Sequence, residues 1–403
     1  MSRDGSVAAE RRRGATTDGR VPMAIYCTYF GIDSHLRTTT ICALTPEDGE
    51  LRTRTFKGND YGEMAAWMAD FPQPSHGVYE SGCTGFVPAR MLTCGDTLVE
   101  PVASSKLPSS ADSRSRKNDR RDAERLARLA LAGEVSPVWV PPEQVEGLRE
   151  LAQAMDDLAC VREAARQRVN AILCRHGISW DERTPTGRLK KRWGQHFWNW
   201  LRSIDLGDAG SQAAYLAALS AAESAEVAYD ELRARAEGIA KASDLGPVID
   251  ALMCVKGVGL ASALAFAAEV GDFSRFASGR KVTAYFGLAP SERSSAESRR
   301  LGRISRNGCA LVRKLLVEGA WVLARGNPAH RKRGGASVPL AIREHARACS
   351  GRLLERRRGL IARGLMPCKA NTATAAEMAR MLLYIGRDAQ EAAASATEVA
   401  RAA

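Results

Sequence analysis

The sequence is short of acidic residues and contains no long apolar run. Its 58 Lys and Arg residues outnumber its 46 Asp and Glu residues, which gives a formal net charge of +12 and a pI near 9.4. Such a basic chain predicts a polyanionic partner, nucleic acid before a membrane. No stretch approaches the roughly 18 apolar residues that a membrane-spanning helix needs. We therefore expect a soluble, cytoplasmic protein without a membrane partner.

Paired metal and disulfide motifs are also missing. The ten cysteines include no Cys-x-x-Cys pair, and the six histidines show no paired spacing. This pattern argues against a zinc site and against a disulfide framework, so we interpret the cysteines as small apolar residues. Residues 1–22 are rich in Arg, Gly and Ser and lack the apolar core of a signal peptide, so they are expected to form a disordered basic tail.

The region 23–140 has the pattern of a mixed α/β domain. Apolar and β-branched runs predict an antiparallel meander of three strands, at 24–32, 38–44 and 51–56. The pattern then predicts a helix, a strand, a helix and a strand, at 61–71, 76–79, 86–94 and 97–102. This order, followed by one more helix, is that of an RNase H-like domain.

Four carboxylates stand out in this region. Asp33 and Glu80 fall at the ends of predicted strands, and Asp119 and Asp122 leave one face of a predicted helix because they are three residues apart. Gathered carboxylates repel by about 4 kcal/mol per pair at 4 Å and an effective dielectric of 20, and a divalent cation removes that repulsion. All-oxygen ligation is what Mg²⁺ or Mn²⁺ prefers, and such sites usually serve phosphoryl transfer.

A plain helix start explains two of the same acids. In this interpretation Asn118 is the N-cap, Asp119 and Asp122 are stabilised by the helix dipole, and the helix ends near Gly133. The preceding residues 103–118 are Ser-rich and basic, which predicts a loop that is either an ordinary solvated one or one that closes over nucleic acid.

The region 141–244 predicts two long helices, at 148–176 and 211–242, that form an antiparallel pair. Between them, four of the seven tryptophans lie beside basic residues in the segment 180–200. Aromatic residues interleaved with Lys and Arg suit stacking on unpaired bases. A tryptophan-rich helix that closes the tip of a bundle, or docks a second subunit, explains the same residues.

The region 245–385 combines a glycine hairpin with a basic serine loop. Apolar helices at 249–255 and 260–270 flank Lys256-Gly257-Val258-Gly259, which is typical of a helix-hairpin-helix that holds phosphates through backbone N–H groups. A tight helix-helix turn with glycine caps is the alternative. The loop with Ser294 and Ser295 precedes a helix at 310–323 and carries five arginines that suit phosphate: Arg293, Arg299, Arg300, Arg303 and Arg306. The basic run 331–363 is expected to add salt-sensitive affinity.

The order of these motifs resembles the DEDD-type insertion-sequence transposases, the insertion sequence one-ten and eleven-eleven group, over residues 25–385. The segments that carry the resemblance are Gly31-Ile32-Asp33, Tyr79-Glu80-Ser81, the run from Lys117 to Ala123, the run from Tyr285 to Pro290, and the run from Gly302 to Gly308.

The resemblance implies a multidomain α/β plus α architecture. We expect the disordered tail 1–22, a RuvC-like domain of RNase H fold at 23–140, a helical coiled-coil region at 141–244, a helical transposase domain with the helix-hairpin-helix and serine loop at 245–385, and a tail at 386–403. Nucleic-acid contacts are expected at Lys117, Lys256, Gly257, Gly259, Arg293, Arg299, Arg300, Arg303 and Arg306.

The resemblance also implies a chemistry and its partners. A serine attacks the scissile DNA phosphate beside Mg²⁺ or Mn²⁺ held by Asp33, Glu80, Asp119 and Asp122, so distant parts of the chain contribute to one active site. The family usually has Ser-Gly at the nucleophile, and here Ser294-Ser295-Ala296 makes Ser295 the better match and keeps Ser294 open. Donor and target DNA, a structured guide RNA encoded in the element's own ends, and a homodimer or homotetramer are implied.

Two other functions fit the same residues. One is a RuvC-like structure-specific nuclease in which water attacks and the serine loop only binds phosphate. The other is a nucleic-acid-binding protein without catalysis, whose acids serve as helix caps and strand-end polar groups.

Overall fold

The computed structural model describes residues 26–108, 118–292, 301–324 and 337–402, and the chain divides into two compact units, Met1–Pro141 and Pro142–Ala403. The expected tail 1–22 and the central part of the loop before Asp119, with Lys117, lie outside the described residues. Each unit is described by itself below.

The first unit contains a five-stranded mixed sheet with helices on both faces. The described elements in chain order are β1 Thr28–Ser34, β2 Thr38–Thr45, β3 Glu50–Lys57, α1 Tyr61–Ala69, β4 Ser75–Glu80, α2 Val87–Leu92, β5 Thr97–Val102 and α3 Asp119–Leu131. The sheet order is β3-β2-β1-β4-β5. Strands β1, β2 and β3 pair antiparallel, which confirms the predicted meander, and β4 and β5 continue the sheet parallel to β1.

Alternation along the central strands divides their side chains between two cores. Phe30, Ile32 and Tyr79 point to one face, where they pack with Met64 and Met68 of α1. The next residues along the chain point the opposite way because successive strand side chains alternate. Tyr29 and Val78 therefore pack on the other face, with Leu126 and Ala130 of α3. This second face is the one to which Asp33 also belongs.

Helix α3 lies directly on strand β1, and Gly31 makes this approach possible. A Cβ atom at position 31 would stand 1.9 Å from the carbonyl oxygen of Ala123 and 2.4 Å from the backbone nitrogen of Ala127. No side chain fits there, since both neighbours are backbone atoms of a buried helix face. The helix and the strand are therefore held at close distance two residues before Asp33.

In the residues of the second unit that the structure describes, the named elements are helices and one short hairpin. The described elements in chain order are α4 Glu143–Arg175, α5 Gln195–Arg202, α6 Ala209–Ala242, α7 Gly246–Met253, α8 Leu260–Val270, α9 Gly279–Tyr285, β6 Pro290–Glu292, β7 Leu301–Ile304, α10 Ala310–Ala324, α11 Leu340–Ala362 and α12 Pro367–Ala402. Helix α12 passes without a break through residues 385 and 386, the expected boundary between the transposase domain and the tail. The boundaries predicted at 244 and 385 stay predictions.

None of the helices in the described parts of the chain is long and apolar enough to cross a bilayer.

The long helices α4 and α6 pack side by side as an antiparallel pair. Arg162 of α4 lies 3.7 Å from the ring centroid of Tyr229, and Arg166, one turn further on, forms an ion pair with Glu226. From the first contact to the second, the residue number rises along α4 and falls along α6, as expected for antiparallel helices. The aliphatic part of this contact includes Val169 and Leu219.

The tryptophan-rich segment closes one end of this pair. Trp180 is 6% exposed and its indole nitrogen donates to the carbonyl oxygen of Lys190 at 3.1 Å. Its ring meets Phe197 and Trp200 at centroid distances of 5.1 Å, and Trp193 meets Trp198 at 5.3 Å. The aromatic faces are therefore used within the bundle tip, which favours the packing interpretation of these residues over base stacking.

Replacing Gly31 should separate α3 from the sheet. We expect Gly31→Ala to lower the free energy of unfolding of the first unit by about 1–3 kcal/mol or more, as overpacking against backbone does. Calorimetry of the full chain measures this as a lower melting temperature. Gly77→Ala on β4 is the matched control, because its Cβ would meet only side-chain atoms, the nearest being Val99 Cγ2 at 3.0 Å. Equal losses in both variants would contradict the close-approach argument.

Candidate functional site

Three of the four predicted acids lie at one end of the contact between α3 and β1. Asp33 is the sixth residue of β1, and Asp119 and Asp122 occupy the first turn of α3. The helix begins as the sequence predicts, because the side chain of Asn118 accepts a hydrogen bond from the backbone N–H of Arg120 at 3.0 Å. Capping and clustering are therefore compatible, since the cap places both acids beside the strand.

The fourth acid, Glu80, ends the neighbouring strand β4. Ile32 and Tyr79 are register partners in the parallel pair of β1 and β4. Asp33 and Glu80 are the next residues of these strands, so they lie at the same end of the strands and on the same face of the sheet. The side chain of Glu80 is exposed, whereas that of Asp33 is 17% exposed.

A compact group of possible metal ligands forms around Asp33. Ligand atoms of Asp33, His35 and Asp119 lie within 4.8 Å of one another. The Oδ2 atom of Asp33 is buried and accepts no hydrogen bond from any described residue, although it lies 3.2 Å from Nε2 of His35. An unpaired buried carboxylate oxygen beside a second carboxylate suits a divalent cation, because the cation removes both the repulsion and the unsatisfied acceptor. Asp33, His35 and Asp119 thus fit a metal ion.

The electrostatics of Asp33 follow from this crowding. Burial raises the pKa of the Asp33 carboxyl above its ordinary value of 3.8, and the charges of Asp119 and Asp122 raise it further. His35 opposes this rise in pKa. Without a cation, the ionised form of Asp33 is therefore less favoured in the folded protein than in the unfolded chain.

Sequence reasoning overlooked His35. Attention to strand-end carboxylates selected Asp33, but residues two apart along an extended chain point to the same side. Gly31, Asp33 and His35 thus share the side that faces α3. That alternation was the available signal.

The predicted serine loop is held at its base by a hairpin of the second unit. Strands β6 and β7 pair antiparallel, with Pro290 opposite Ile304 and Glu292 opposite Leu301. The connection that contains Ser294, Ser295, Arg293, Arg299 and Arg300 lies outside the described residues. Below the hairpin, the backbone N–H of Ser305 donates to Ala289 O at 2.9 Å and that of Arg306 to Gly287 O at 3.1 Å.

An arginine of α10 ties together the two motif segments that flank this loop. The Nη1 atom of Arg313 lies between 2.7 and 3.3 Å from the carbonyl oxygens of Phe286, Asn307, Gly308 and Cys309. The runs 285–290 and 302–308 therefore form one packed platform. On it, the side chains of Arg303 and Arg306 are exposed and form no ion pair with any residue that the structure describes.

The glycine hairpin between α7 and α8 is built partly for packing. Gly257 has φ of +91°, and a Cβ there would stand 2.4 Å from the carbonyl oxygen of Gly319 in α10. The backbone N–H of Lys256 donates to Ser350 Oγ at 3.0 Å. A Cβ at Gly259 would meet no atom within 4 Å. Helix packing is therefore sufficient to explain Gly257, and a phosphate-binding role of the hairpin stays a prediction.

Replacing Asp33 should relieve repulsion and remove metal binding. We expect Asp33→Asn to leave the metal-free stability unchanged or to raise it by about 1 kcal/mol, since one of several close negative charges is lost. The sign with pH follows from the raised pKa: the wild type gains stability as the pH falls through the pKa of Asp33 toward 3.8, and the variant lacks this gain. Melting curves recorded at several pH values, with and without Mn²⁺, measure the change in stability, its pH dependence and the loss of metal binding.

The control for this variant is Asp70→Asn, which changes an exposed acid at the end of α1. It should keep the stabilisation by Mn²⁺. A rise in melting temperature with Mn²⁺ that is equal in Asp33→Asn and wild type would contradict the metal site.

Two family models match the chain, and together they cover both motif regions. One, described as the transposase IS116/IS110/IS902 family, matches residues 249–334. The other is the DEDD model of the IS110 group, described as a transposase, and matches residues 30–177. All four acids fall within the second match, and the glycine hairpin and serine loop fall within the first.

Similar proteins span most or part of the chain. A Sinorhizobium fredii protein provisionally named as a transposase, y4qE, is 34% identical over 382 residues, which are 93% of this chain and 92% of that protein. The Coxiella burnetii transposase for insertion sequence element IS1111A is 28% identical over 219 residues, 53% of this chain and 56% of that protein. The Leptospira borgpetersenii transposase for element IS1533 is 26% identical over 259 residues, 63% of this chain and 72% of that protein. The chain therefore belongs to the IS116/IS110/IS902 family of insertion-sequence transposases.

Proposed function

We propose that this transposase cuts and rejoins DNA through a serine nucleophile, with a divalent metal held by Asp33, Glu80, Asp119 and Asp122. The observation that carries the proposal is the placement of Asp33 and Asp119, with ligand atoms within 4.8 Å of each other where α3 meets β1. Mg²⁺ or Mn²⁺ bound there would act as a Lewis acid that polarises a phosphoryl oxygen. The sheet order and the helix that carries the last two acids support an RNase H-like, RuvC-like assignment of the first unit.

The chain's own residues suit the binding and orientation of a phosphodiester. Arg303 and Arg306 are exposed on the segment that follows the serine loop and form no ion pair with any described residue, so they can hold phosphate oxygens. The packed platform under the hairpin holds the backbone that carries these two arginines. In the proposed reaction the Oγ atom of Ser295 bonds to phosphorus, and the bond from phosphorus to one deoxyribose oxygen breaks. That oxygen leaves as a hydroxyl, and the number of phosphodiester bonds is conserved.

Such a serine ester makes rejoining possible without an external energy source. A hydroxyl end of a second DNA strand attacks the same phosphorus, the bond to Ser295 Oγ breaks, and the serine takes back a proton. Water in place of the second strand would give only cleavage. The covalent adduct is therefore the feature that separates a recombinase from a nuclease.

The serine is tested by trapping that adduct. Wild-type protein with Mg²⁺ and a DNA substrate whose leaving strand diffuses away should form an adduct that survives denaturation and maps by mass spectrometry to Ser295. We expect Ser295→Ala to bind DNA normally and to form no adduct, because only the nucleophilic oxygen is lost. Ser291→Ala is the matched control, since Ser291 lies on the same hairpin and its Oγ donates to Arg303 O at 3.0 Å.

An adduct at Ser294 would move the assignment by one residue. Cleavage by Ser294→Ala and Ser295→Ala proteins alike, without any adduct, would instead assign the attack to water and overturn the serine mechanism.

We also propose that a structured RNA from the element's own ends directs the protein, on the basis of the net charge of +12 and the exposed arginines of the hairpin platform. Protein co-expressed with such an end and purified at low salt should carry that RNA. Affinity should fall steeply with salt because each neutralised phosphate releases counterions. Arg303→Ala should lower the logarithmic salt slope by about 0.7–0.9, whereas Lys241→Ala, at an exposed helix end beside Glu237, should leave it unchanged. Purified protein without element RNA would contradict the guide.

A further inference from the structure

We propose that His35 is a nitrogen ligand of the cation at the Asp33 cluster, and that this ligand makes the site prefer Mn²⁺ and similar transition ions to Mg²⁺. This inference rests on the proposed metal-dependent function and adds a donor of a different chemical kind to its four carboxylates.

The distances around Asp33 suit coordination of one ion. Ligand bonds of about 2.1 Å in an octahedral site put neighbouring ligand atoms about 3 Å apart and opposite ones about 4.2 Å apart. The distance from His35 Nε2 to Asp33 Oδ2 is 3.2 Å, which matches a neighbouring pair. The Asp119 ligand atom lies within 4.8 Å of both, which is close to the spacing of an opposite pair.

The orientation of this close pair also favours coordination of one cation. At 3.2 Å an imidazole nitrogen and a carboxylate oxygen are near enough to hydrogen-bond, yet Asp33 Oδ2 has no hydrogen-bond partner among the described residues. A donor–acceptor pair would align the N–H with the oxygen. Two ligands of one cation instead direct their lone pairs to a common third point. A cation at that point would satisfy both atoms.

The position of His35 leaves its ring accessible. Its side chain is 39% exposed, so a cation and water can both reach the ring. With Nε2 on the metal, Nδ1 keeps the ring proton and can donate it to water.

The donor set decides which ion is preferred. Mg²⁺ is a hard ion that favours oxygen ligands and dehydrates reluctantly, so replacing one oxygen by imidazole weakens it. Mn²⁺ also suits oxygen ligands, but as a first-row transition ion it accepts an imidazole nitrogen among them more readily than Mg²⁺ does. The cluster of Asp33, Asp119 and His35 therefore offers a mixed oxygen and nitrogen site, whereas four carboxylates alone would not discriminate in this way.

Pulsed electron paramagnetic resonance of the Mn²⁺-loaded full-length protein, without nucleic acid, tests the ligand directly. Wild-type protein should show nitrogen-14 modulation from a coordinated imidazole. His35→Ala should lose it, and so should His35→Asp. His196→Ala, which removes an exposed histidine of α5, should keep it. Absence of the modulation in the wild-type protein would overturn the proposal without reliance on any variant.

Calorimetric titrations with Mn²⁺ and Mg²⁺ separate the roles of the residues. His35→Ala should weaken Mn²⁺ binding by about 10–100-fold, as loss of a ligand or its support does, and Mg²⁺ binding by much less. His35→Asp should shift the preference toward Mg²⁺ because it restores an all-oxygen set.

Asp119→Asn distinguishes a metal site that lacks His35 as a ligand from the absence of any metal site. It should weaken both ions. If Asp119→Asn weakens both and His35→Ala weakens neither, the metal site stands and His35 is not a ligand. If Asp119→Asn changes the binding of neither ion, the metal-dependent function itself fails.

Discussion

The contact between helix α3 and strand β1 is the constraint on which the candidate metal site depends. At Gly31 the helix backbone approaches so closely that a single Cβ atom would stand 1.9 Å from a carbonyl oxygen. Close backbone contact fixes the height and tilt of the helix on the sheet more tightly than side-chain packing does, because backbone atoms cannot rearrange. Asp33 follows Gly31 by two residues, and Asp119 and Asp122 start the same helix. The positions of the acids are thus set by a residue that carries no chemistry.

This arrangement places destabilising charge at a rigid contact. Burial and the neighbouring acids raise the pKa of Asp33, and its Oδ2 atom has no hydrogen-bond partner among the described residues. A fold under selection for stability alone would place a neutral residue at this position. The helix dipole and the Asn118 cap offset part of the repulsion at Asp119 and Asp122. The remaining repulsion is the physical reason to expect a cation there. It also means that the melting temperature of the metal-free protein should respond to substitutions in the site.

The second unit shows how one motif can have a structural explanation as well as a functional one. Gly257 belongs to a sequence pattern that is typical of phosphate binding, and its close contact with Gly319 explains it by helix packing. The tryptophans between α4 and α6 pack on one another and on Phe197 rather than presenting free rings. By contrast, Arg303 and Arg306 keep exposed side chains on a platform that Arg313 holds together. Exposed cations that have no ion-pair partner among the described residues, on a packed base, are the stronger indication of a nucleic-acid surface.

Local pattern in the sequence was sufficient for most of the secondary structure. The β-branched run at 38–44, the alternation in 51–56, the strand pattern at 97–102 and the Asn118 cap predicted β2, β3, β5 and the start of α3 to within a residue or two, because each depends on nearby residues. The four acids of the candidate site were selected the same way, from strand ends and from a spacing of three on a helix.

Only the tertiary structure decided which of these residues meet. It brought Asp33 and Asp119 together and added His35, whose proposed role depends on a distance of 3.2 Å that no local pattern encodes. It also assigned Gly31 and Gly257 to close backbone contacts with partners 92 and 62 positions away, Ala123 and Gly319. The sequence by itself determined the elements and the chemistry available in them, since these are properties of neighbouring residues. Which side chains share a site depends on how the elements pack, and packing is a property of the whole chain.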